Sequence, residues 1–137
     1  MESVSIYQLR VGNLVIHPNR FGEGDYVTKV QELSVSRGIR IGHNLQSSTW
    51  SNVKPIKLTL DWVLKLGFEK CIDTERGGMD VYDYEGFMLW DNEDGKFYHI
   101  NDESVTHFDT VHHLQNYYFF MTLIDGKGEE LEVKNDG

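Results

Sequence analysis

Lys54-Pro55-Ile56-Lys57-Leu58-Thr59-Leu60-Asp61-Trp62-Val63-Leu64-Lys65-Leu66-Gly67-Phe68 decides how this chain folds, because it closes one folding unit and opens another. The Thr59 hydroxyl can cap a helix, Asp61 sits in the positive first turn, and Leu58 can staple against Val63. Trp62, Val63 and Leu66 make an apolar stripe, and Gly67 supplies a left-handed stop. Such a helix is about two turns long, too short to stand alone, so packing must hold it.

Upstream, the sequence predicts short strands punctuated by turn residues. Leu14 to His17 follows a Gly12-Asn13 turn signal, and Tyr26 to Val35 reads as an extended meander. In Ile39-Arg40-Ile41 the two isoleucines share a face. Short strands with glycine at the corners predict a small SH3-like β-barrel over residues 1–57, closed by Trp50, Val53 and Ile56.

Downstream, residues 58–137 predict a helix, an antiparallel sheet and a second helix, sharing one core with the barrel. Glu69 to Ile72, Met79 to Tyr84, Phe87 to Asp91 and Lys96 to Ile100 are strand candidates, three or four of which pair. Asn92-Glu93-Asp94-Gly95 is a hairpin signal. Asp102 to Thr110 reads as a polar connection. Thr110 or Asp109 can cap the second helix, whose stripe is Val111, Leu114, Tyr118 and Met121. Glu130 to Val133 reads as an edge strand or a frayed tail.

The chain has 137 residues, 39% of them hydrophobic and 12% aromatic, enough for a core without disulfides. The single cysteine, Cys71, suits a reducing compartment, and the N-terminus shows neither basic nor apolar signal regions. With no run near the ~20 apolar residues a bilayer needs, a soluble, cytoplasmic protein is expected. Net charge is −9, unevenly spread: residues 1–60 hold seven Lys/Arg and four Asp/Glu, residues 61–137 six and eighteen. The acidic half argues against nucleic-acid binding there, since phosphates would meet repulsion.

Three segments together resemble a family of small uncharacterised proteins of Bacteroidetes genomes and their phages. They are Leu9-Arg10-Val11-Gly12-Asn13-Leu14-Val15, the Lys54 to Phe68 stretch, and Val111-His112-His113-Leu114-Gln115-Asn116-Tyr117-Tyr118-Phe119. The resemblance implies a phage or mobile-element setting and brings no catalytic residues with it. This chain has His113 where members of the family carry Gln.

Catalytic and metal motifs are weak. His99, His107, His112 and His113 lie close in sequence to Asp109, but lack zinc-ligand spacing. On a helix His112 and His113 point about 100° apart. From Asp91, Gly95 falls at the fifth position of a calcium loop where the sixth is needed, so a hairpin turn explains it better. Cys71 reads as a buried, inert strand thiol. No cofactor or metal is assigned.

Three functional expectations follow. The first is a non-enzymatic binding protein whose acidic surface, Asp80, Asp83, Glu85, Glu93, Asp94, Asp102 and Glu103, docks on a basic host protein that handles nucleic acid, as an anti-CRISPR inhibitor would. A second is a nucleic-acid module of the basic barrel, using Arg37, Arg40, Trp50 and Lys54. The third is a small enzyme built on His107, Asp109, His112 and Cys71.

Overall fold

The computed structural model describes residues 9–17, 26–34, 38–41, 46–48, 53–73, 79–91, 96–100 and 104–134. For Tyr26, residues 31–34, 38–41 and 46–48, Ile72, Asp73 and Met79, the backbone alone is described. The fold is α+β, with two antiparallel sheets and two helices among the described residues. The chain divides into two compact units, residues 1–56 with 110–130, and residues 57–109 with 131–137.

In the first unit, β1 (Leu14–His17), β2 (Tyr26–Ser34), β3 (Gly38–Ile41) and β4 (Gln46–Ser48) form an antiparallel sheet in sequence order. Leu14 faces Lys29 and Val30 faces Ile41, with a bulge between Val30 and Glu32 that bends β2. On its other edge β1 meets Lys54 through a two-way backbone pair with Ile16, at 2.9 and 2.8 Å. No pairing closes this sheet into a barrel among the described residues. Trp50 lies outside them, whereas Val53 and Ile56 are buried, Val53 in a cluster with Leu9, Val15 and Val30.

Helix α2 (Val111–Ile124) belongs to this unit, which corrects the expected division after residue 57. Its polar Gln115 is fully buried and bonds the start of β1, a contact that an apolar stripe gives no hint of. Thr110 caps it, the hydroxyl accepting the His113 N–H at 3.3 Å. The helix closes on a Schellman motif: Gly126 N–H donates to Leu123 and Lys127 N–H to Thr122.

In the second unit, α1 (Leu60–Lys65) starts and stops as its sequence dictates. Thr59 accepts the Trp62 N–H at 3.4 Å, and Gly67, at φ +98°, closes a second Schellman motif with Phe68. Five strands follow in meander order: β5 (Glu69–Asp73), β6 (Met79–Tyr84), β7 (Phe87–Asp91), β8 (Phe97–Ile100) and β9 (Val105–Phe108). The sheet therefore has one strand more than expected, because Val105–Phe108 pairs with β8 instead of serving as connection. Its buried face carries Tyr82, Phe87, Leu89, Phe97 and Phe108, and Phe68 meets the rings of Tyr84 and Phe87. The segment after Glu130 is neither strand nor frayed: Leu131 is buried and Lys134 N–H donates to Lys65 at 2.7 Å. No described helix is long and apolar enough to cross a membrane.

Candidate functional site

Regrouping the chain by compact unit redraws its electrostatics. Residues 1–56 with 110–130 contain seven Lys/Arg and seven Asp/Glu, leaving six and fifteen of the chain's 13 and 22 to the other unit. The first unit is formally neutral and the second carries the whole −9. The excess of cations in residues 1–60 disappears once Asp125, Glu129 and Glu130 are counted beside them.

Among the described residues, the expected acidic surface is spread over both ends of the sheet. Asp80 stands opposite Ile72 near the end of the sheet where β5 passes to β6, and pairs with Lys70 at 3.7 Å. Asp83 and Glu85 lie at the opposite end, around the β6–β7 turn. There Asp83 Oδ1 accepts the Gly86 N–H at 3.1 Å, and Glu85 takes the left-handed φ of +50°. Asp83 thus fixes a turn as well as contributing charge. Burial, then the Asp80 and Asp91 carboxylates, push the Tyr82 hydroxyl above its usual range. Glu93, Asp94, Asp102 and Glu103 lie outside the described residues.

The four expected histidines sit in separate local settings. His99 stacks on Phe87 with centroids 4.2 Å apart, and its Nδ1 meets the Met88 carbonyl at 2.9 Å. His107 Nε2 lies 3.8 Å from Asp109 Oδ2 on the exposed end of β9. His112 is buried in the first turn of α2, its Nδ1 without a hydrogen-bond partner. Burial, then neighbouring His113, lower its pKa from 6.5 to about 4, so it is neutral at physiological pH. Among the described residues no three His, Cys, Asp or Glu side chains are arranged to hold a metal ion. Cys71 is exposed on β5, which corrects its reading as a core thiol. Of the nucleic-acid candidates, Arg37 and Trp50 fall outside the described residues, as does the Arg40 side chain, while Lys54 is half-buried.

Sequence reasoning passed over a well-connected polar cluster in the first unit. Asn13, in the turn closed by its N–H to Arg10, is fully buried. Its Oδ1 accepts the Arg10 N–H at 2.6 Å and its Nδ2 donates to Asn116 at 2.7 Å and to Gln115 at 3.4 Å. Arg10 donates to Asn116 at 3.2 Å and to Glu130, and its guanidinium lies 4.0 Å above the Phe119 ring. The one hint in the sequence was amide and guanidinium groups recurring in both Leu9 to Val15 and Val111 to Phe119. Amide bonded to amide, with a guanidinium set between Asn116 and Glu130, makes the cluster a structural clasp.

The chain matches no family model, no curated protein and no solved structure.

Proposed function

We propose that the chain is a non-enzymatic, protein-binding protein of the phage or mobile-element type. Its acidic unit docks on the basic surface of a nucleic-acid-handling host protein in the cytoplasm, in the manner of an anti-CRISPR inhibitor. The observation that carries this reading is the segregation of charge, −9 on one compact unit and zero on the other. Carboxylates held on a folded scaffold occupy a target's cations in competition with phosphates, and they speed encounter through the long-range field. On this reading the neutral unit is the scaffold. Its four-stranded sheet, with the isolated bridge of Lys54 to Ile16 beside β1, supports reading it as an open, SH3-like arrangement. The neutrality of that unit speaks against phosphate-driven nucleic-acid binding.

The test is capture from host lysate, followed by titration of the purified partner at increasing salt. An affinity that falls steeply between about 50 and 500 mM salt is expected, because the Debye length shrinks severalfold over that range. A partner bound equally at both ends of that range, or a partner with an acidic surface, sinks the proposal.

A further inference from the structure

An antiparallel sheet with one face on a core normally turns polar residues to its other face. The five-stranded sheet departs from this. Register and alternation place Cys71, Val81, Trp90, Tyr98 and His107 in one row across all five strands, on the face opposite Tyr82, Leu89 and Phe97. In the adjacent row Glu69 faces Asp83 and Asp83 faces Met88, while Ile100 faces Val105 on the last two strands. Val81 and Trp90 are buried at the centre. Beside them Met88 is 39% exposed and Val105 61%, with Tyr98 and Ile100 half-buried. This second row is therefore acidic over β5 and β6 and apolar over β7 to β9.

We infer that the second row of this face, together with Tyr98, is a docking surface for a protein partner that presents an apolar contact flanked by lysine or arginine. The inference rests on the binding role proposed above and assigns that role a face. Charge complementarity selects the occupant: Glu69 is exposed, Asp83 beside it is half-buried and accepts the Gly86 N–H, and the unit around them is strongly acidic. Methionine and tyrosine are residues that interface centres favour, and an acidic rim repels an acidic partner while steering a basic one. The apolar groups at the end of α2, Phe120, Leu123 and Ile124, are exposed too, but sit on the neutral unit, where no charge defines a partner.

The experiment titrates the full chain with three synthetic amphipathic peptides, of lysine and leucine, lysine and glutamine, and glutamate and leucine, following amide NMR shifts and affinity. The lysine–leucine peptide should bind best and shift Met88, Tyr98, Ile100 and Val105. Met88→Glu and Val105→Glu, both at exposed positions, should each weaken it about tenfold, and Glu69→Gln a fewfold. If both lysine peptides bind equally and shift only the Glu85 turn and Asp109, the acidic-docking reading stands and the sheet face falls. Equal binding of the glutamate–leucine peptide overturns both. Binding of no peptide overturns the face alone, since the lysate capture decides the wider reading. A dimer in sedimentation that Val105→Glu dissolves would make the occupant a second copy of this chain and overturn the basic partner.

Discussion

Gln115 Oε1 accepts the backbone N–H of Leu14 at 2.8 Å, joining the middle of α2 to the first residue of β1 across 101 residues of sequence. The same side chain donates to the Gly12 carbonyl at 3.4 Å, so one amide serves two backbone groups of the turn that launches β1. Because Gln115 is fully buried, no water can replace it. Gln115→Leu keeps the volume and leaves the Leu14 N–H orphaned, at a cost of about 2–3 kcal/mol. Urea unfolding should show that loss, while Asn116→Ala, at a half-buried position, should cost about 1 kcal/mol. Equal losses at the two positions would mean that burial is not what makes the Gln115 bond matter.

This clasp also shows where the sequence stops being readable. Helix α1 was legible because its signals are local: Thr59 caps within three residues and Gly67 closes the last turn. The alliance of α2 with β1 was not, because Gln115 and Asn116 look like solvent-facing amides until Asn13 and Leu14 are seen beside them. Strand β9 escaped because Val105, Thr106 and His107 lie on an edge, where exposure permits a polar composition. The acidic excess was visible as composition, yet its confinement to one unit emerged only once the helix changed sides. Likewise the apolar outer row needs the cross-strand register, which no single strand encodes.

Two glycines with similar backbones separate conformational strain from crowding. Gly67 and Gly86 have φ of +98° and +92°. A Cβ on Gly86 would meet nothing within 4 Å, whereas on Gly67 it would lie 2.7 Å from Lys134 Cγ and 3.2 Å from Tyr84 Cε1. Gly86→Ala should therefore cost only the left-handed penalty, about 1 kcal/mol. Gly67→Ala should exceed it by about another 1 kcal/mol, because the tail residue must be displaced. Thermal melts of the two variants check the order. If Lys134→Ala abolishes the difference, crowding is its cause.

His112 makes stability depend on pH in a definite direction. Its folded pKa, about 4, is below the ordinary 6.5, so the unfolded chain binds more protons between those values. Stability is thus complete above pH 6.5 and falls as the pH is lowered towards 4, by about 3 kcal/mol if the whole shift is realised. Carboxylates titrate in the lower part of this window as well, so the informative quantity is the difference between the native chain and His112→Leu. That difference should shrink steadily as the pH falls from 7 to 4. A constant offset between the two unfolding curves would show that His112 charges as readily folded as unfolded.

Helix α2 offers a contrast between a buried position near its start and an exposed one at its end. Leu114 is buried, and Leu114→Ala should cost about 2–5 kcal/mol through lost transfer energy and the cavity left behind. Ile124 is 81% exposed, and no basic residue lies in the last turn. Ile124→Lys removes an apolar group that already faces water and places a cation against the carbonyl end of the helix dipole. Its effect on unfolding free energy should stay within about 0.5 kcal/mol, with any shift towards greater stability. A loss approaching that of Leu114→Ala would show that Ile124 is covered in solution. Sedimentation of the native chain against Ile124→Lys would then reveal whether a second copy provides the cover.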